Sequence, residues 1–91
     1  MPGTFHFELL TPNEVLLKED VNEVVAPGSD GYFGVQPGHA YFATSLGKGI
    51  LTVKWDDQVR TCEIDGGVIQ VTPEKVIVCA EKAEFCELKS A

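Results

Sequence analysis

Val24-Val25-Ala26-Pro27-Gly28-Ser29-Asp30-Gly31-Tyr32-Phe33-Gly34-Val35 reads as two short β-strands folded back on each other. Val24-Val25-Ala26 supplies the first arm, and Pro27-Gly28 ends it. Tyr32-Phe33-Gly34-Val35 supplies the second. Asp30-Gly31 between them favours the positive φ angles of a type I′ hairpin turn.

The same alternation of strand and turn runs outward in both directions. Upstream, residues 5–10 place Phe5, Phe7 and Leu9 on one face and His6 and Glu8 on the other, the period of a half-buried strand. Thr11-Pro12-Asn13 breaks that run before a second strand over 15–18, and a third covers 21–26. Downstream, Pro37-Gly38 makes a turn before 41–44. Leu51, Val53 and Trp55 then alternate with Thr52 and Lys54 over 50–55. Asp56-Asp57 turns the chain into a return strand over 59–64, and Gly66-Gly67 breaks it again. Residues 68–71 and 76–79 flank Thr72-Pro73-Glu74, a hairpin loop. Val, Ile and Thr supply twenty-one residues, and nine glycines and five prolines punctuate them. About nine or ten short strands with regular turns predict two packed antiparallel sheets. Residues 81–91 are mainly good helix formers and predict a helical turn or two, or a frayed end.

The chain has 91 residues, enough for one domain. Its apolar share of 44% and charged share of 23% are those of a globular protein. Fourteen acids against seven bases give a net charge of −7. That balance argues against nucleic acid, which needs clustered Lys and Arg, and against docking on anionic lipid. No stretch approaches the roughly 18 apolar residues of a membrane span. No basic region precedes an apolar run at the N-terminus, so no signal peptide is expected. Cys62, Cys79 and Cys86 are odd in number and form no CxxC, which disfavours a disulfide framework or a structural zinc. Cys62 and Cys79 lie in β-like runs and are expected to be buried thiols.

Reactive groups do not converge in the sequence. His39 stands near Ser29 and Asp30 in number, but no nucleophile elbow accompanies it. A turn histidine bonded to backbone or to a partner is the simpler account, and no catalytic residue is expected. Two histidines and three cysteines lack ligand spacing, so no metal and no cofactor are expected. Gly28, Gly31 and Gly34 do not make the dinucleotide fingerprint and precede no helix.

Four segments together resemble the epsilon subunit of F-type ATP synthases, the counterpart of the mitochondrial delta subunit. They are Phe5-His6-Phe7-Glu8-Leu9-Leu10-Thr11-Pro12, the run from Val24 through Pro37-Gly38-His39-Ala40, Asp65-Gly66-Gly67-Val68-Ile69-Gln70-Val71, and Val76-Ile77-Val78-Cys79-Ala80-Glu81-Lys82-Ala83-Glu84. The PG…DG…FGV-x-PGHA run is the most specific of them. The resemblance implies a ten-stranded β-sandwich of two five-stranded antiparallel sheets over residues 1–84, with a short tail over 85–91.

It also implies a non-catalytic subunit of the rotor. Such a subunit binds gamma, rests on the polar loops of the c-ring and couples proton or sodium flow to ATP synthesis. Ser29, Asp30, Gly31 and Tyr32 match the tip that faces the c-ring. His39, Ala40 and Thr44 match the region that faces gamma, and Asp65 matches a position near it. The place implied is the cytoplasmic face of an energy-transducing membrane, held there through the complex alone. Tyr32 stands where the family often has an acid, so packing and a phenol hydrogen bond replace a charge there. The family's two-helix C-terminal hairpin has no counterpart in these residues, so inhibition and ATP binding by that route are not expected. The competing expectations are a stand-alone β-sandwich module for a ligand or peptide, and a small hydrolase using His39. The partner surface is expected to be a neutral or apolar patch with a polar rim.

Overall fold

Thr11 and Thr72 each begin a loop that closes on itself in the same way. In the first, Thr11 and Glu14 exchange backbone hydrogen bonds around Pro12-Asn13; in the second, Thr72 and Lys75 do so around Pro73-Glu74. The threonine hydroxyls add a bond to the carbonyls of Glu14 and Lys75. Proline pre-sets φ for such tight turns, so both hairpins are written locally.

The computed structural model describes residues 3–38 and 40–90. Those residues form β1 (Phe5–Leu10), β2 (Val15–Val21), β3 (Glu23–Gly28), β4 (Gly31–Val35), β5 (Phe42–Trp55), β6 (Gln58–Val71), β7 (Lys75–Ala80) and β8 (Ala83–Ser90). The hydrogen-bonded order is β2-β1-β7-β6-β5-β3-β4, with β8 also on β6. The fold is a β-sandwich, and the two longest strands serve both layers. Residues 67–71 of β6 pair with β7, and residues 58–64 pair with β8. One layer is therefore β2-β1-β7-β6-β5, and the other is β8-β6-β5-β3-β4.

The predicted ten strands correspond to segments, five in each layer; the described residues make eight continuous strands. Gly66-Gly67 does not break β6 but bends it. The buried residues of β6 are Cys62 and Ile64 before the bend and Ile69 and Val71 after it. A regular strand buries one parity only, so the switch needs an irregular backbone. Gly66 at φ 80° and Gly67 at φ 136° provide it. The layers are also not wholly antiparallel: β1 and β7 run parallel.

Two further expectations are corrected. Residues 83–90 form a strand rather than a helical turn, pairing with the edge of β6, and this strand crosses the boundary drawn at 84/85. Cys62 is buried at 1% exposure, but Cys79 is exposed. On β7 the core positions are Val76, Val78 and Ala80, so alternation turns Cys79 outward.

Between the layers lies one apolar core. Phe7, Leu9, Val21, Val24, Leu51, Ile69, Val76 and Val78 are fully buried, and no polar or charged side chain among the described residues is. Hydrophobic burial, worth about 25 cal/mol per Å² of apolar surface, holds the layers together.

Candidate functional site

Gly28 and Gly31 face each other across the β3–β4 hairpin, leaving Ser29-Asp30 as its two-residue loop. The positive φ falls on Gly31 alone, at 134°. The expected type I′ turn centred on Asp30-Gly31 is thus replaced by a loop centred on Ser29-Asp30, neither of which has the positive φ that type I′ needs. A side chain at Gly28 would press on the Gly31 carbonyl and the Phe33 ring, at 2.8 and 2.9 Å, so glycine is needed for the close return.

The tip is fastened to β5. Ser29 N–H donates to the Ser45 carbonyl at 3.1 Å, and the Ser29 and Ser45 hydroxyls lie 2.8 Å apart. Sixteen residues separate this pair, and no spacing rule in the sequence points to Ser45. The Tyr32 hydroxyl accepts the Ile50 N–H at 2.8 Å, further along β5.

Beside the tip runs a groove of about 440 Å³. Ser29, Asp30 and Gly31 line it together with Ala40 and Thr44. Residues that the family resemblance assigns to two different partners therefore line one groove. Phe33 and Phe42 form part of the wall in an edge-to-face contact, ring centroids 5.3 Å apart, an arrangement favoured by the ring quadrupoles. Tyr41 is 75% exposed and Phe42 44% exposed at the same groove. Among the described residues Asp30 is the one carboxylate lining it. This is an apolar surface with a polar rim.

Asp65 lies elsewhere. It borders a second depression of about 500 Å³ with Glu14, Glu63, Glu81, Lys48 and Lys82. Its N–H donates to the Lys82 carbonyl at 3.0 Å. His39 lies outside the described residues. Among the described residues no cluster of three His, Cys, Asp or Glu side chains is arranged to hold a metal ion. No helix there is long and apolar enough to cross a membrane.

On the outer face of β1, the His6 imidazole donates from Nε2 to the Glu8 carboxylate at 2.8 Å, with Asp20 at 3.4 Å from Nδ1. The bond from His6 lowers the Glu8 pKa; burial opposes it, and the Lys18 charge adds to it. This cluster sits on another face from the groove.

Residues 4–86 match the family described as ATP synthase, Delta/Epsilon chain, beta-sandwich domain. The chain belongs to that family. An ATP synthase epsilon chain of Nitratidesulfovibrio vulgaris (strain DP4) is 39% identical over 87 residues, covering 96% of this chain and 65% of that one. An ATP synthase epsilon chain of Trichlorobacter lovleyi is 46% identical over 84 residues, covering 92% and 61%. The chain thus spans less than two thirds of the length of these relatives. Among solved structures, one chain of the Euglena gracilis mitochondrial ATP synthase, in an OSCP/F1/c-ring assembly, superposes with a TM-score of 0.86. That chain is 26% identical, with 93% of this chain and 55% of that one covered. The β-sandwich of the delta/epsilon family is therefore the frame in which the groove and the tip are set.

Proposed function

We propose that this β-sandwich is a non-catalytic piece of an ATP synthase central stalk. It binds the gamma subunit, rests on the polar loops of the c-ring, and couples proton or sodium flow to ATP synthesis made on other subunits. The family match across residues 4–86 carries this reading. The setting of the Euglena relative, an assembly that includes F1 and c-ring, supports it.

Ser29, Asp30 and Gly31 form the c-ring side of the contact, with Tyr32 behind them. His39, Ala40, Thr44 and Asp65 form the gamma side, Asp65 from a depression separate from the groove. The groove shared by Ser29, Asp30, Gly31, Ala40 and Thr44 makes one continuous partner surface. Its aromatic wall gives affinity through burial, and Asp30 adds selection for a basic or hydrogen-bonding loop. Membrane association then comes through the complex, on the cytoplasmic face.

The test is co-elution with gamma from the same organism on size exclusion. A one-to-one complex that Thr44→Arg weakens about tenfold or more is the expected result, since a bulky charge in a packed interface costs at least that much. No complex at micromolar concentration would return the domain to the class of independent ligand- or peptide-binding modules.

A further inference from the structure

Tyr32 belongs to β4, and its hydroxyl reaches Ile50 on β5, two strands away. In the β3–β4 register Tyr32 faces Pro27. The side chain thus crosses β3 at a residue with no N–H to offer the sheet. The β3–β5 ladder is interrupted here. Val25 faces Thr52 and Gly28 faces Leu46, so three steps on β3 answer six on β5. Ile50 falls within that surplus, where β3 supplies no carbonyl in register. The phenol oxygen takes the carbonyl's place. Gly49 makes room for it: a side chain there would collide with the Tyr32 hydroxyl and with Pro27.

β4 lies at the end of the strand order, so only β3 pairs with it along its length. A two-stranded end with a two-residue loop is free to swing unless something ties it down. The Ser29–Ser45 contacts tie one side of the tip. Tyr32 adds a second tie, to Ile50 further along β5.

We propose that Tyr32 is a positioning residue, a latch whose hydroxyl holds the hairpin against the bend of β5 and sets the angle at which Ser29, Asp30 and Gly31 meet their partner. The phenol does not itself touch that partner. The inference rests on the partner assignment of the preceding subsection, and it replaces the expectation that Tyr32 is a contact residue.

Tyr32→Phe in the full chain keeps the ring and removes the acceptor. The Ile50 amide should then exchange with solvent about tenfold faster by NMR, the scale of one lost hydrogen bond. Binding to the epsilon-free rotor, gamma with c-ring from the same organism, should weaken about fivefold through lost preorganisation. A second tether restores what the latch supplied. Ser29→Cys with Ser45→Cys, oxidised in the Tyr32→Phe background, should return binding to within about twofold of the same oxidised pair with Tyr32 intact, and reductant should undo this.

Unchanged Ile50 exchange in Tyr32→Phe overturns the latch. Unchanged binding, or lost binding that the disulfide does not restore, overturns the positioning role, the second because it makes the hydroxyl a direct contact. Failure of the unsubstituted chain to bind the rotor overturns the partner assignment and with it the positioning role, while Ile50 exchange still judges the latch.

Discussion

At Gly67 the backbone stands at φ 136°, and a Cβ would run into the Cys79 carbonyl and lie 2.8 Å from the Ala80 Cα. Neither neighbour can yield, because both are backbone of the paired strand β7. Gly67→Ala should cost about 2–4 kcal/mol, read as a lower urea midpoint with an unchanged slope. Glu8 sets a pH dependence of known sign. Its folded pKa lies below the ordinary carboxylate value, chiefly through the bond from His6. Its stabilising effect is therefore complete above that ordinary value and is lost as pH falls through the folded one. Glu8→Gln should flatten the fall in urea midpoint between about pH 6 and about pH 3. Single residues were legible in the sequence as turn formers but not as to place. Asp30-Gly31 announced a hairpin, yet the loop settled on Ser29-Asp30 because Gly28 and Gly31 approach so closely. Gly66-Gly67 announced an end of strand and proved to be a bend, since a glycine pair permits both and only the pairing with β7 and β5 decides.

Among the elements, β8 departs furthest from its local signals. Ala83, Glu84, Leu88 and Lys89 prefer helix, but residues 58–64 of β6 offer an unpaired edge, and tertiary pairing overrides a propensity worth tenths of a kcal/mol per residue. A chain ending at Lys82 should melt about 10 °C or more lower. It should also self-associate on light scattering, because the bared edge of β6 is a template for another strand. The strands with clean alternation, β1 and residues 50–55 of β5, were read correctly because each has one face on the core and one outward. The β3–β4 tip was read correctly as a hairpin. Its fastening to Ser45 and Ile50 was not, because those contacts depend on a ladder interruption that no short window of sequence contains.

For the molecule as a whole, the two layers are not separable units. Both are built on β5 and β6, so neither can melt and leave the other intact. Unfolding should be a single transition, with Trp55 fluorescence and far-UV circular dichroism coinciding. Phe7→Ala, in the layer of β1, and Leu51→Ala, in the layer of β3, should each cost about 3–4 kcal/mol and shift both probes together. A variant that separated the probes would show the layers to be independent. The sandwich class was readable from short apolar strands and regular turns. The candidate groove was readable only in pieces, because it is assembled from the tip at 28–31 and the start of β5, and sequence order keeps these apart.

The bent ribbon of β5 and β6 also has a mechanical side. Its ladder runs from Phe42 opposite Val71 to Trp55 opposite Gln58, with hydrogen bonds perpendicular to the strands. A load entering at the β3–β4 tip reaches the layer of β1 and β7 along this ribbon. Pulled lengthwise, its bonds bear the force in parallel and must fail together; peeled from one end, they would fail in turn. The ribbon should accordingly resist a lengthwise pull and yield first at its bend, at Gly66 and Gly67, as a leaf spring does at its fold.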